Sequence, residues 1–229
     1  MGGRSMGFNI AIDGPAGAGK STIAKKVSQK ISFIYVDTGA MYRAIALYFL
    51  RNHVSVEQPE EIKRACEEIQ IEIRYENQEQ QVFLNGENVT AFLRTEEVGN
   101  MASISSAKRV VREKLLDLQR DIAKKEDVLM DGRDIASNVL PDAELKIYLT
   151  ASVQTRAERR YQELKEKGIS CDFEEIKKDI EERDERDMNR DTSPLIQTED
   201  AVLIDSSDLT IDQVVDQILN LYQERRHSL

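Results

Sequence analysis

Gly14, Pro15, Ala16, Gly17, Ala18, Gly19, Lys20 and Ser21 fill every position of the pattern G-x-x-x-x-G-K-[ST], and the chemistry of that pattern is phosphate binding. Gly14, Gly17 and Gly19 open backbone conformations closed to other residues, so successive N–H groups can converge on a polyphosphate. The start of the helix that follows adds partial positive charge. Lys20 can reach oxygens of the last two phosphates, and the Ser21 hydroxyl is placed to ligate the Mg²⁺ that accompanies them. The stretch from Gly14 through Thr22 is therefore the candidate ATP cradle, with Lys20 as its catalytic cation and Ser21 as its metal ligand.

A second set of residues carries more positive charge than ATP alone needs. Arg43 closes the stretch Asp37-Thr-Gly-Ala-Met-Tyr-Arg43, Arg133 lies in Asp131-Gly-Arg-Asp134, and Arg112 follows Ser103 in a helical region. Arg183, Arg186, Asp187 and Arg190 fall at i, i+3, i+4 and i+7, on one face of a helix. Arginines sharing a stripe repel one another, a cost that phosphate offsets more fully than Asp187 alone. The same stripe also reads as a solvated helix with Glu182 and Asp179 as salt-bridge partners. Arg43 likewise reads either as an anion ligand or as a surface residue, and Ser103 and Arg112 either as crevice or as solvated groups. Arg156 and Arg160 repeat the i, i+4 pattern on an earlier helix and are further candidates on the ATP side. His53 and His227 have no nucleophile or metal-like partner near them in sequence and enter no mechanism.

Taken together, Arg43, Arg112, Arg133, Arg183, Arg186 and Arg190 argue for a second phosphorylated ligand in line with the terminal phosphate of ATP. Phosphoryl transfer has a loose transition state with spread negative charge, so cationic clamps and alignment do most of the work. A phosphate oxygen as acceptor needs no general base.

These side chains require a scaffold that gathers distant loops at one edge. Phe8, Ile10 and Ile12 form a strand before the phosphate pattern, and residues 22–31 form a helix after it, with Ile23, Val27 and Ile31 at four-residue spacing. Residues 33–37 are a second strand ending in a polar turn, which places Arg43 in the first turn of the next helix. Residues 59–69 are helical, opened by proline and two glutamates. Residues 95–125 are rich in helix formers, with Val110, Leu115, Leu118 and Ile122 inward. Residues 127–130, 145–149 and 201–204 supply three more strands, and residues 211–222 a last helix with Val214, Val215, Ile218 and Leu221 inward. The alternation predicts an α/β fold with a five-stranded parallel sheet and ligands at the carboxyl ends of its strands.

Two segments interrupt that alternation. Ile69, Ile71, Ile73 and Tyr75 alternate, as do Val82 and Leu84 beyond a turn at residues 76–81, and Asn85-Gly86 is a hairpin signal. Residues 70–93 are thus a small antiparallel insertion at one edge of the sheet, a candidate flap. Residues 152–190 read as two charged helices broken at residues 167–170, a candidate lid with Ser193-Pro194 as its hinge. The expected division is a single domain with core 6–69, 94–151 and 191–229, insertion about 70–93 and lid about 152–190. Residues 1–5 read as a cloning scar appended ahead of Met6.

A chain of 229 residues suits one α/β domain with an insertion. Its formal charge of −10 argues against an extended nucleic-acid surface. Cys66 and Cys171 form no disulfide framework or metal knuckle, which points to a reducing cytosol. No apolar run reaches the ~18 residues of a membrane span, and the N-terminus lacks the apolar core of a signal peptide. A GTPase switch would want an N-K-x-D motif, and none is present.

Four motifs, Asp13-Gly-Pro-Ala-Gly-Ala-Gly-Lys-Ser21, Asp37-Thr-Gly-Ala-Met-Tyr-Arg43, Asp131-Gly-Arg-Asp134 and Glu182-Arg-Asp-Glu-Arg-Asp-Met-Asn-Arg190, together resemble bacterial cytidylate kinases. The resemblance spans nearly all of residues 8–222. It implies a three-layer P-loop fold with core, nucleoside monophosphate-binding insertion and helical lid, and transfer of the γ-phosphoryl group of ATP to CMP or dCMP in pyrimidine metabolism. It also implies Mg²⁺ with the ATP, and a monomer in the cytosol. Carried over by position, it puts the acceptor phosphate on Thr38, Arg43 and Arg133, cytosine on Ser103, Arg112, Asp134 and Arg190, and the sugar on Arg183 and Asp187. Arg133, Arg183 and Arg190 then join Lys20 as the catalytic set. A carboxylate such as Asp134 accepts from the exocyclic amine of cytosine and repels the carbonyl of uracil. Thr38 stands where serine is common, and Ser21 where glycine can stand. Another small P-loop kinase, for thymidylate, shikimate or a different monophosphate, is the alternative, and cytosine is favoured by resemblance alone.

Overall fold

Strand β1 (Asn9–Asp13) alternates its side chains between two apolar layers: Ile10 and Ile12 enter one, Ala11 the other. A strand buried on both faces belongs in the middle of a helix-covered parallel sheet, and β1 is the central strand. The computed structural model describes residues 7–77 and 79–228; the scar expected at residues 1–5 lies outside them. With β2 (Ile34–Asp37), β6 (Val128–Gly132), β7 (Leu145–Thr150) and β8 (Val202–Asp205), β1 forms a parallel sheet of order β2-β6-β1-β7-β8.

Helices α1 (Lys20–Ile31) and α8 (Ile211–His227) cover one face through Ile23, Val27, Val214 and Ile218. Helices α2 (Thr38–Arg51), α3 (Pro59–Glu68), α4 (Glu96–Ser105) and α5 (Arg109–Lys125) contribute to the other layer, where Met41, Ile45, Phe49 and Leu115 are buried. The result is a three-layer α/β fold, as the alternation predicts. Register places Asp13 beside Gly132 and Tyr148, and Asp37 beside Asp131. Every motif singled out in the sequence therefore reaches the same carboxyl edge or lies over it. No helix among the described residues is long and apolar enough to cross a membrane.

Several local expectations shift. No turn separates β2 from α2, because the Asp37 side chain accepts the Ala40 N–H at 2.9 Å and caps the helix directly. Arg43 consequently sits in the second helical turn, not the first. The 95–125 region splits into α4 and α5, and the buried stripe of α5 is Val111, Arg112, Leu115, Gln119 and Ala123, with Val110, Leu118 and Ile122 only half-buried. In α8, Tyr222 replaces Leu221 as the buried residue because its ring meets Phe8 and Phe33 edge-on, with centroids at 5.2 and 5.4 Å.

The insertion is an antiparallel sheet of β3 (Ile71–Glu76), β4 (Glu79–Leu84) and β5 (Glu87–Asn88). Pairing runs out to Glu76 and Glu79, so the turn expected at residues 76–81 is much shorter. The Gln80 amide accepts the Asp37 N–H at 2.9 Å and donates to the Asp37 carbonyl at 3.1 Å, and the Tyr75 hydroxyl donates to the Tyr35 carbonyl at 3.2 Å. These three bonds dock the insertion on the open edge of β2. The two charged helices are α6 (Val153–Glu166) and α7 (Phe173–Asn189), capped by Ser152 and Asp172.

Candidate active site

The phosphate loop forms where β1 and β7 touch. Gly14 has φ +152°, and a Cβ there would lie 1.9 Å from the Leu149 carbonyl oxygen, so no other residue fits. Gly17 and Gly19 also take positive φ, and Gly19 is the N-cap of α1. Lys20 is buried, its ammonium donating to the Pro15 carbonyl at 2.7 Å across the loop. Burial, then the nearby Arg133 guanidinium, depress its pKa well below the ordinary lysine value, so a triphosphate would find a cation short of counter-charge.

Beside the loop, Ser21 donates to Asp131 Oδ2 at 2.9 Å and the Tyr35 phenol donates to Oδ1 at 3.0 Å. Burial, then the Asp37 carboxylate, raise the Asp131 pKa to about 6. A hydroxyl and a carboxylate at the mouth of a phosphate loop are the hard-oxygen partners Mg²⁺ takes when most of its ligands are phosphate and water. Among the described residues no cluster of three or more His, Cys, Asp or Glu is placed to hold a metal by itself.

Arg156 lies over the loop. Its guanidinium donates to the Ala16 carbonyl at 3.0 Å and the Ala151 carbonyl at 2.9 Å, and pairs with Asp184 of α7. Arg160, one turn on, points instead to Glu163 of its own helix at 3.0 Å, so the structure does not bring it to the loop. Thr22 is exposed on the first turn of α1.

The second half of the crevice gathers the remaining candidates. Thr38 donates to the Asp131 carbonyl at 2.7 Å, and a Cβ on Gly132 would meet Thr38 Oγ1 at 2.8 Å, which explains a glycine between the two charged groups of that motif. Arg133 donates through Nε to Asp187 Oδ2 at 2.9 Å. Burial opposes charge on Asp187, but Arg133, Arg183 and Arg190 outweigh it and hold the carboxyl below its usual range. Burial, then Arg133, pull Arg183 down to about 10, and burial likewise lowers Arg43 and Arg190. Asp134 pairs with Arg112 at 2.5 Å and accepts from Asn138 at 3.0 Å, while Arg112 stacks 5.2 Å above the Tyr42 ring and donates to the Ser106 carbonyl at 3.0 Å.

The arginine stripe of α7 is not as spacing alone predicts. Arg186 is exposed, while Arg183, Asp184 and Asp187 point inward. Arg190 lies past the helix end on extended backbone, φ −68° and ψ 143°, and returns to the crevice by donating to the Ser193 carbonyl at 2.7 Å. Four polar atoms on the predicted acceptor residues, Ser103 Oγ, Arg112 Nε, Arg183 Nε and Arg190 Nη2, are buried without a hydrogen-bond partner among the described residues.

Over residues 10–224 the sequence matches the family described as Cytidylate kinase. The chain belongs to the cytidylate kinase family. It is 48% identical over 220 residues to a cytidylate kinase of Ligilactobacillus salivarius (strain UCC118), with 96% of this chain and 98% of that protein covered. It is 49% identical over 215 residues to one of Caldicellulosiruptor saccharolyticus (strain ATCC 43494 / DSM 8903 / Tp8T 6331), covering 94% and 95%. Among solved structures, an uncharacterized protein from Eubacterium ventriosum ATCC 27560 superposes with a TM-score of 0.52 at 12% identity, over 93% of this chain and 97% of that one, a likeness of fold alone.

Pattern reading passed over three groups that the structure brings to the crevice. Asp131 carried a signal, an apolar strand ending in an acid beside β1. Asp184 falls outside the i, i+3, i+4, i+7 spacing of the arginines and is drawn inward by its pair with Arg156, a contact no local pattern shows. Arg94, which donates to Asp37 at 2.7 Å beside Arg43, had none.

Proposed function

We propose that this chain catalyses transfer of the γ-phosphoryl group of ATP to a phosphate oxygen of CMP or dCMP, releasing ADP and CDP or dCDP. The four unpartnered buried polar atoms on Ser103, Arg112, Arg183 and Arg190 carry this reading. Each such group costs roughly 1–3 kcal/mol when buried alone, a cost that an anionic nucleotide removes. ATP occupies the loop from Gly14 to Thr22 with Lys20 on its terminal phosphates and Arg156 above it. The acceptor phosphate meets Thr38, Arg43 and Arg133, the sugar meets Arg183 and Asp187, and cytosine meets Ser103, Arg112, Asp134 and Arg190.

An acceptor phosphate oxygen forms its bond to the γ-phosphorus as the bridging β,γ-oxygen leaves with ADP. Lys20, Arg133 and Arg183 lie toward the transferring group and neutralise charge spread over its equatorial oxygens, while Arg190, expected in the same catalytic set, sits beside Arg112 and Asp134 at the base end. Ser21 and Asp131 would hold the Mg²⁺ that accompanies the phosphates, which would supply further neutralisation there. Because the acceptor is ionised, no residue here has to remove a proton. The helix pair α6 and α7 serves as the lid and keeps water from competing as acceptor. The reading extends to a monomeric cytosolic enzyme, as the family resemblance implies, and the unpaired thiols of Cys66 and Cys171 accord with a reducing compartment.

A coupled assay with ATP against CMP, dCMP, UMP, AMP and TMP tests the proposal, together with Asp134→Ala. CMP and dCMP should lead the panel, and Asp134→Ala should erode the preference for CMP over UMP. A panel led by TMP or AMP, or calorimetry that finds room for a single nucleotide per chain, would sink it.

A further inference from the structure

We infer that Asp13 is a positioning residue for acceptor-base recognition: its carboxylate holds the turn that aims Asp134. This rests on the assignment of Asp134 to the base. Asp13 ends β1, one residue before the phosphate loop, and is 1% exposed. Among the described residues it pairs with no cation; both its oxygens go to backbone. Oδ1 accepts the Ile135 N–H at 2.8 Å and Oδ2 the Ala136 N–H at 2.7 Å.

Those two N–H groups open the π turn Ile135–Val139, which begins immediately after Asp134. The first N–H groups of a helical turn have no partner inside it, so this turn depends on an outside acceptor to be fixed in place. Arg120 grips the other end, donating to the carbonyls of Asn138 at 2.8 Å and Val139 at 3.1 Å. Within the turn, Asn138 donates to Asp134 Oδ2 at 3.0 Å, while Arg112 takes Oδ1. Asp134 itself sits on irregular backbone, φ −144° and ψ 28°, and its own side chain does not cap the turn. The direction of its carboxylate is therefore inherited from a turn pinned by Asp13 and Arg120.

A neutral cap would fix a turn at lower desolvation cost, but not as firmly. A carboxylate makes two charge-assisted bonds in a low-dielectric interior, where each is stronger than its neutral counterpart. An asparagine in the same place accepts one N–H and turns its own N–H₂ toward the other. Selectivity between an amine and a carbonyl on the base depends on sub-ångström placement of Asp134, so a half-held turn should cost discrimination before it costs ATP binding.

The test is Asp13→Asn, assayed beside Asp134→Ala with CMP and UMP as acceptors. We expect Asp13→Asn to raise KM for CMP about 10-fold and lower the CMP-over-UMP ratio of kcat/KM by a similar factor, with KM for ATP changed less than about 2-fold. Equal losses for both acceptors, or a loss confined to ATP, would overturn the inference. If Asp134→Ala lowers the ratio and Asp13→Asn does not, the inference fails while the base assignment stands; if Asp134→Ala leaves the ratio unchanged, the assignment fails and takes the inference with it. Should Asp13→Asn not fold, Asp13→Ser, neutral and smaller with a hydroxyl that still accepts, gives the same decision.

Discussion

Arg156 and Asp184 face each other from α6 and α7, Nη1 to Oδ1 at 2.9 Å, and the same guanidinium donates to Ala16 in the phosphate loop. One buried ion pair thus ties both charged helices to the phosphate loop. Removing one partner of a buried pair costs about 3–5 kcal/mol, because the other charge is left unmatched. Asp184→Ala should lose stability on that scale in urea unfolding and raise KM for ATP. The double change Arg156→Met with Asp184→Leu should regain part of the stability and none of the ATP affinity. A double variant no more stable than Asp184→Ala would mean the pair is not the unit that matters.

Lys20→Met should abolish turnover, by at least about 10²-fold, with the circular dichroism spectrum unchanged. Among the described residues the ammonium's hydrogen bond is to the Pro15 carbonyl, so no secondary-structure contact goes with it. Activity near wild type would remove the loop from the mechanism.

Arg133→Ala should raise KM for CMP far more than KM for ATP if Asp187, to which Arg133 is bonded, faces the acceptor as proposed. The Asp187 carboxyl should also titrate higher once its principal opposing charge is gone. The reverse pattern in the two KM values would mean the donor and acceptor phosphate sites have been exchanged.

Asp13 and Asp131 are both raised to about 6 from 3.8, chiefly by burial. Their contribution to stability is fully present below the unfolded pKa and is lost as pH rises through about 6, on the order of 3 kcal/mol for each at the upper end. Asp131→Asn cannot ionise, so it should gain on wild type in melting temperature as pH climbs from 4.5 to 7. Parallel melting curves across that range would show that Asp131 carries no raised pKa.

Much of this site was legible because its signals are local. A phosphate pattern between a strand and a helix fixes both neighbours, and the Asp131-Gly-Arg-Asp134 motif advertises a strand end. The misreadings come from tertiary context. Apolar spacing put Val110, Leu118 and Ile122 inward on α5, whereas Arg112 and Gln119 are buried, Arg112 against Asp134 and Tyr42, and no apolar pattern registers a buried arginine. Helical spacing put Arg186 beside Arg183, but α7 turns Asp184 inward to meet Arg156 and ends before Arg190. The link between Asp13 and the 135–139 turn spans 122 residues and leaves no trace in either segment's own pattern.

The Gln80 amide fills both backbone positions of Asp37 that an added strand would use, and this bears on anyone recombining modules between monophosphate kinases. A transplanted insertion lacking a glutamine at that point and a tyrosine in place of Tyr75 would leave the β2 edge raw, open to pairing with another chain. Such chimaeras should associate before they fail to bind nucleotide, and restoring those two side chains should be the first repair.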